Sequence, residues 1–517
     1  MNKENYTKER ELGDINKNLT KIANEWLVKA NIKQLQRDNP RWFETTVDCF
    51  KKSLTAQRTR YNLSEYALFL WQHNHQDKVE QLYLELLELV QADEPNLAGT
   101  LVNLGIFYKT VQKMPEAETM YLRSLEIRER LAKANPAQFE PGLARTVMNL
   151  GNFYYTAQKM PEAETMYLRS LEIRERLAKA NPAQFEPDLA LTENNLGEFY
   201  RVNNKMPEAE TMFRRSLEIY ERLAKANPAQ FEPELARTAM NLGNFYSDVQ
   251  KMPEAEKMYL RSLEIYERLA KANPAQFEPN LATTAMNLGN LYSDVQKMPE
   301  AEMMYRRSLD IYERLVKANP AQFEPDLART AMNLGLFYYT VQKMPEAETM
   351  YLRSLDISER LAKANPAQFK PDLARTLVNL GNFYSDVQKM PEAETMYLRS
   401  LEIYERLAKA NPAQFEPNLA RTAMNYGIFL FQNGKATEAE ERVRRANEVF
   451  RRLAADNHGQ HVLSVSRTCG FLGVIKKVKG EAAAAKALFE ESIAIASRYP
   501  DVSEAKQLIA MAKQQME

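Results

Sequence analysis

Nine of the 16 glycines stand in one column with a step of 46 residues: Gly105, Gly151, Gly197, Gly243, Gly289, Gly335, Gly381, Gly427 and Gly473. The prolines keep the same step. Of 24, seven follow Lys-Met (Pro115, Pro161, Pro207 and onward), seven follow Asn (Pro136, Pro182, Pro228 and onward), and seven close a Phe-Glu-Pro or Phe-Lys-Pro triplet (Pro141, Pro187, Pro233 and onward). A strict period of this length restricts the chain to a stack of like modules, each covering the apolar face of the next. One large core is excluded on length as well, since 517 residues exceed what a single core organises.

The module ELARTAMNLGNFYSDVQKMPEAEKMYLRSLEIYERLAKANPAQFEP, residues 234–279, reads as two helices. Leu235, Met240, Leu242, Phe245 and Tyr246 include helical spacings, and the run VQKMP then interrupts the segment. Pro253 suits the first residue of a second helix, where its missing N–H costs nothing. Ala255, Met258, Tyr259, Ser262, Leu263, Ile265, Tyr266 and Leu269 give that helix an apolar face. Asn273-Pro274 is expected to end it, because proline disfavours helical geometry in the preceding residue. PAQFEP is then expected to be a stiff connector with Phe277 tucked back against the module.

A large residue and Gly midway along the first helix, an aromatic three later, Ala early in the second helix, then an aromatic and a small residue: here these are Leu242, Gly243, Tyr246, Ala255, Tyr259 and Ser262. The pattern resembles the tetratricopeptide repeat (TPR) family, with a period longer than the usual 34. The run NxG…Y…EAE…Y…SLEI is most similar to the kinesin-light-chain-like branch and its bacterial relatives. The resemblance implies an all-α, right-handed superhelical solenoid of antiparallel helix hairpins. First helices would line the concave groove, second helices the outer wall.

The boundaries expected are a flexible segment at 1–16, divergent hairpins forming an N-terminal cap at 17–95, eight units at 96–463, and a degenerate ninth unit with a capping helix at 464–517. Atypical ends suit a stack whose terminal faces must be covered. The stretch around ANEWLVKANIKQL and RWFETTVDCFKKSLTAQRTRYNLSEYALFLWQHN resembles the segment preceding such repeats in bacterial proteins that carry an effector or protease domain. That suggests an alternative role: a regulatory subunit of a bacterial signalling or antiphage defence system, acting with a separate effector chain.

Comparing the modules with one another separates fixed columns from changing ones. Most columns of the second helix barely change, even at positions expected to face water, one exception being Arg128, Arg174, Tyr220, Tyr266, Tyr312, Ser358 and Tyr404. In the first helix four columns vary, at spacings of three, four and three, which is one helical stripe. The first holds Gly99, Arg145, Leu191, Arg237, Thr283, Arg329 and Arg375, and continues to Arg421. The second runs from Val102 through Asn194 to Val378. The third holds Ile106, Asn152, Glu198, Asn244, Asn290, Leu336 and Asn382. The fourth holds Lys109, Tyr155, Arg201, Ser247, Ser293, Tyr339 and Ser385. Drift after duplication would scatter changes over both helices, so the stripe reads as a diversified groove.

Beside it runs a fixed ladder: Asn103, Asn149, Asn195, Asn241, Asn287, Asn333, Asn379 and Asn425. An amide both donates and accepts, which suits it to clamp an extended peptide backbone. Arginine four residues earlier can take a carboxylate in a bidentate fork. The resemblance implies the same, since Asn at this position binds peptide backbone or carboxylate in several TPR families. Each Asn could instead bond the neighbouring module and set the stacking; the Arg column beside it favours a ligand. The candidate groove is therefore Asn149, Asn195, Asn241, Asn287, Asn333, Asn379 and Asn425, with Arg145, Arg237, Arg329, Arg375 and Arg421, Asn152, Asn244, Asn290 and Asn382, and Tyr155 and Tyr339.

Composition narrows the partner. Lys plus Arg and Asp plus Glu both total 69, so no excess charge draws the chain to nucleic acid or an anionic membrane. The partner expected is a protein or peptide, with an acidic or extended segment, and no cofactor. The polar opening MNKENYTKERELGD and the absence of long apolar runs fit a cytoplasmic setting. Cys469 reads as a buried thiol, and His73, His75, His458 and His461 as loop residues without metal-ligand company. No catalytic cluster is visible, so a scaffold is expected and not an enzyme.

Overall fold

A computed structural model describes residues 3–35, 39, 41–73, 75–456, 461–500 and 502–516. Among them lie 23 α-helices and no strand. None of the helices is long and apolar enough to cross a membrane. The chain divides into two compact units, residues 1–150 with 314–323, and residues 151–313 with 324–517.

Between residues 136 and 456 each 46-residue module is two helices of 21 residues, such as Pro228–Asp248 and Met252–Ala272. Three residues join them, and a single one, Asn273, leads to the next helix, Pro274–Asp294. The expected PAQFEP connector is thus the opening of the first helix. The segment begins a helix because Asn, Pro and Gln occupy its N-cap, first and third positions. Asn365 and Asn411 accept the backbone N–H of Gln368 and Gln414, each at 3.3 Å, while their amides reach those glutamines at 3.0 and 2.9 Å. Pro279 then falls in the second turn, where it removes one helical hydrogen bond. Phe277, Phe369 and Phe415 are buried as expected, whereas Phe139, Phe185 and Phe231 are only half-buried.

The turn between the two helices is a Schellman motif. Lys251 N–H bonds Tyr246 C=O at 2.8 Å and Gln250 N–H bonds Ser247 C=O at 3.0 Å. The closing residue adopts a left-handed conformation: Gln112, Gln158, Asn204, Gln250, Gln296, Gln342 and Gln388 have φ between 57° and 62°. At the same position in the last two modules stand Gly434 and Gly480.

Within a module the glycine column sets how closely the helices approach. A Cβ on Gly243 would lie 2.8 Å from the Tyr259 ring, and one on Gly197 2.9 Å from Phe213. One turn along, Ser216 and Ser400 donate across the same crossing to the carbonyls of Ala190 and Ala374, at 2.7 and 2.9 Å.

In the first unit the helices Lys3–Leu35 and Trp42–Ala56 pair, as do Arg60–Gln72 with Gln76–Leu89 and Glu94–Thr110 with Met114–Ala134. Lys3–Leu35 passes through residues 16 and 17 without a break. Ser53 bonds Ala23 C=O at 2.7 Å, repeating the serine crossing of the later modules. In the second unit successive first helices touch: Pro182–Val202 with Pro228–Asp248, the latter with Pro274–Asp294, and Pro366–Asp386 with Pro412–Gln432. Among the helix pairs described, no two successive second helices come as close, and the first helices hold the inner face of this unit. Ser503–Met516 closes the unit on Val462–Val478 and Ala482–Ala496.

Two substitutions test this geometry. Gly243→Ala overpacks the Tyr259 crossing and is expected to lower unfolding free energy by about 1–3 kcal/mol in urea titrations, despite alanine's better helix propensity. Gln296→Gly relieves a left-handed residue and is expected to stabilise by about 0.5–1 kcal/mol, the strain of about 1–2 offset by glycine's chain entropy.

Candidate functional site

The inner face of the second unit carries the asparagine ladder at half-buried positions. Three of its members are tied to the preceding module. Asn241 donates to Asn194 Oδ1 at 3.2 Å, Asn287 to Asn244 Oδ1 at 3.1 Å, and Asn333 more weakly to Met286 Sδ at 3.2 Å. Asn195, Asn379 and Asn425 keep the same half-buried setting without a side-chain hydrogen bond, as does Asn149 in the first unit. Stacking and an open amide thus both occur in one column.

The next column is structural where it is Asn. The hydroxyls of Tyr167, Tyr259, Tyr305 and Tyr397 donate to Oδ1 of Asn152, Asn244, Asn290 and Asn382, at 2.6 to 2.8 Å. Where the column is Glu198, the second-helix ring is Phe213, without a hydroxyl to place. Leu336, in the same column, is 55% exposed on the inner face.

The arginines pair with the residue three positions earlier. Arg237 meets Glu234, Arg329 meets Asp326 and Arg375 meets Asp372, the last two at 2.6 Å, and Arg421 meets Asn418. Each pair uses one terminal nitrogen, and Arg329, Arg375 and Arg421 remain exposed, as does Arg145 in the first unit. Tyr155 is half-buried with its ring edge-on to Phe199, and burial pushes its hydroxyl up. Tyr339 donates to Asp386 at 2.8 Å.

The constancy of the second helices has its own structural cause. Arg215, Arg307, Arg353 and Arg399 each reach the Glu of the preceding second helix (Glu175, Glu267, Glu313, Glu359) at 2.6 Å. Lys205, Lys297, Lys343 and Lys389 reach Glu164, Glu256, Glu302 and Glu348 at 2.6 to 3.0 Å. These positions face water and still bridge modules. The contrast between fixed second helices and varied first helices therefore does not by itself mark a groove.

One buried residue of a first helix escaped the sequence reading. Glu193 stands in a column that is otherwise Val147, Ala239, Ala285, Ala331 and Leu377, and it is wholly buried. Arg215 Nη2 lies 2.7 Å away, close enough for an ion pair, but neither carboxylate oxygen has a well-aligned hydrogen bond. Burial raises its pKa to about 7 against the pull of Arg215. The signal was available as the one charged residue in an apolar column.

Elsewhere the chemistry is structural. Cys49 and Cys469 are buried, and burial raises both thiols. His73 and His461 lie at helix ends, as the C-cap of Arg60–Gln72 and the N-cap of Val462–Val478, and are half-buried on aromatic rings, His73 at 4.7 Å from Phe69 and His461 at 6.1 Å from Phe450. His75 is exposed and stacks on Phe43, and His458 lies outside the described residues. No group of three His, Cys, Asp or Glu among the described residues is placed to hold a metal ion.

Comparison with known proteins bears on the repeat itself. Two family models described as tetratricopeptide repeat match the chain, one at residues 97–137, 143–183, 190–229, 327–367 and 373–413, the other at 234–314. No curated protein sequence matches it. Similar solved structures include BtubC (BKLC) from P. vanneervenii, 23% identical, covering 48% of this chain and 92% of that one with a TM-score of 0.39. A Rap protein complexed with competence and sporulation factor is 12% identical, covering 81% and 99%, with a TM-score of 0.46. Yeast Tom70 is 13% identical, covering 88% and 95%, with a TM-score of 0.36.

Glu193 makes a pH prediction. Its native pKa lies above the ordinary 4.5, so the native state holds the proton longer than the unfolded chain. Its contribution to stability is then largest below pH 4.5 and is lost as pH rises to about 7. Glu193→Ala is expected to raise the urea midpoint at pH 8, by up to about 3 kcal/mol in unfolding free energy, and to flatten the fall between those pH values.

Proposed function

Because the chain belongs to the tetratricopeptide repeat family, we propose that it is a non-enzymatic scaffold holding an extended, acidic segment of a partner protein along residues 324–425. The observation that carries this reading is the inner face of those residues. Asn379 and Asn425 have no side-chain hydrogen bond and Asn333 only a weak one to sulfur, while Arg329, Arg375 and Arg421 stand exposed one turn away on the same helices. Amides at this regular step give a peptide backbone both donors and acceptors. The arginines keep free N–H groups for a carboxylate, and Leu336 adds an apolar contact. Upstream, Asn241 and Asn287 are occupied in module-to-module bonds, so that stretch serves stacking.

Peptides selected from a random display library on the folded protein test the reading. The triple variant Asn333→Ala/Asn379→Ala/Asn425→Ala is expected to lose at least about tenfold in affinity with an unchanged melting curve, three hydrogen bonds of about 1 kcal/mol each being more than sufficient. Asn241→Ala is expected to leave affinity unchanged and lower stability. Full affinity in the triple variant overturns the reading.

A further inference from the structure

The second helices carry a tyrosine that fills the gap between two successive first helices. Tyr220, Tyr266, Tyr312 and Tyr404 are buried, and each donates its hydroxyl to the carbonyl of the proline 33 residues earlier: Pro187, Pro233, Pro279 and Pro371, at 3.1, 3.2, 3.2 and 3.3 Å. Arg128 reaches Pro95 the same way at 2.9 Å. In one module the residue is Ser358. Its hydroxyl stops at Thr376 Oγ1, 3.3 Å away, and leaves Pro325 C=O without the side-chain donor its counterparts receive.

The helices have not closed over the gap. A cavity of about 340 Å³ remains, with Pro325, Ser354, Ser358, Leu361 and Phe369 among its lining. Such a volume exceeds the roughly 150 Å³ apolar cavity that accepts benzene. Ser354, 1% exposed, lines it with a hydroxyl that has no partner. Ser308 is also unpartnered in the preceding module, but there Tyr312 fills the column, whereas beside Ser354 the column holds only the short side chain of Ser358. The outer part of the cavity includes Arg329, Arg375, Asn333 and Asn379, the residues proposed above to meet the bound segment, with Asp326 and Asp372 paired to the two arginines.

We propose that this slot receives a tyrosine side chain of the partner segment, which supplies in trans the phenol that the module lacks. The inference rests on the peptide-binding reading and adds its anchor. A ring fits because the flanking modules show the same backbone holding one, Tyr312 on one side and Tyr404 on the other. A hydroxyl on the ring suits the Pro325 carbonyl, which beyond its helical bond lacks the phenol donor that Pro279 and Pro371 receive and that phenylalanine could not supply.

The probe is p-cresol, the tyrosine side-chain analogue, titrated by NMR against the full chain, with toluene for comparison. Wild type is expected to bind one p-cresol with a dissociation constant of about a millimolar, and toluene several-fold more weakly. Ser358→Tyr fills the slot internally; it is expected to abolish p-cresol binding and raise the melting temperature. Tyr312→Ser is expected to open a second site. Affinity of tyrosine-bearing selected peptides is expected to fall at least tenfold in Ser358→Tyr. No p-cresol binding, or equal binding to wild type and folded Ser358→Tyr, overturns the slot even if the peptides still depend on Asn333 and Asn379. Binding of p-cresol lost in Ser358→Tyr, with peptides indifferent to the asparagines, keeps the slot and removes the ladder instead.

Discussion

The contact between a first-helix glycine and a second-helix ring is what the rest of the module depends on. At Gly243 and Tyr259 there is no room for a single methyl group. Any other residue would push the helices apart, lengthen the buried serine bonds to the alanine carbonyls, and tilt each module against the next. Because the modules repeat the crossing, with Val443 in place of the ring against Gly427, a small change in it would multiply along the stack. That constraint keeps a poor helix former at the centre of each first helix.

Around this crossing the modules are tied twice. Inside, first helices meet through amide bonds such as Asn241–Asn194 and Asn287–Asn244; outside, second helices meet through Arg–Glu and Lys–Glu bridges. Single exposed bridges are worth little, yet they occupy the positions that change least. The inner face has the opposite character. Its polar groups are partly spent on neighbours, and which are spent differs by module. Asn241 finds Asn194 opposite, and Asn287 finds Asn244; Asn379 finds no partner. One column therefore holds both amides that tie modules together, at Asn241, Asn287 and Asn333, and amides without such a bond on either side of them.

Departures from the repeat are the most informative residues. Glu193 places a carboxylate where its counterparts are apolar, and its proton becomes part of the fold's stability. Ser358 removes a ring that the backbone still makes space for. Both were visible as exceptions to a column. Only the second was noticed in the sequence, and its meaning required the proline carbonyl that the neighbouring tyrosines reach.

The sequence by itself determined the period, the two-helix module and the residues that share the inner stripe, because these follow from spacing and from where glycine and proline are tolerated. It misplaced the start of the first helix: Asn-Pro reads as a stop, and Gln276 as the third position of a new helix was overlooked. What tertiary structure alone decided is which polar groups of the stripe are free. Asn241 and Asn379 occupy the same column in similar local sequence, and they differ only in what the preceding helix brings within 3.2 Å. That distance is set by packing between residues nearly 50 positions apart, which no local pattern encodes.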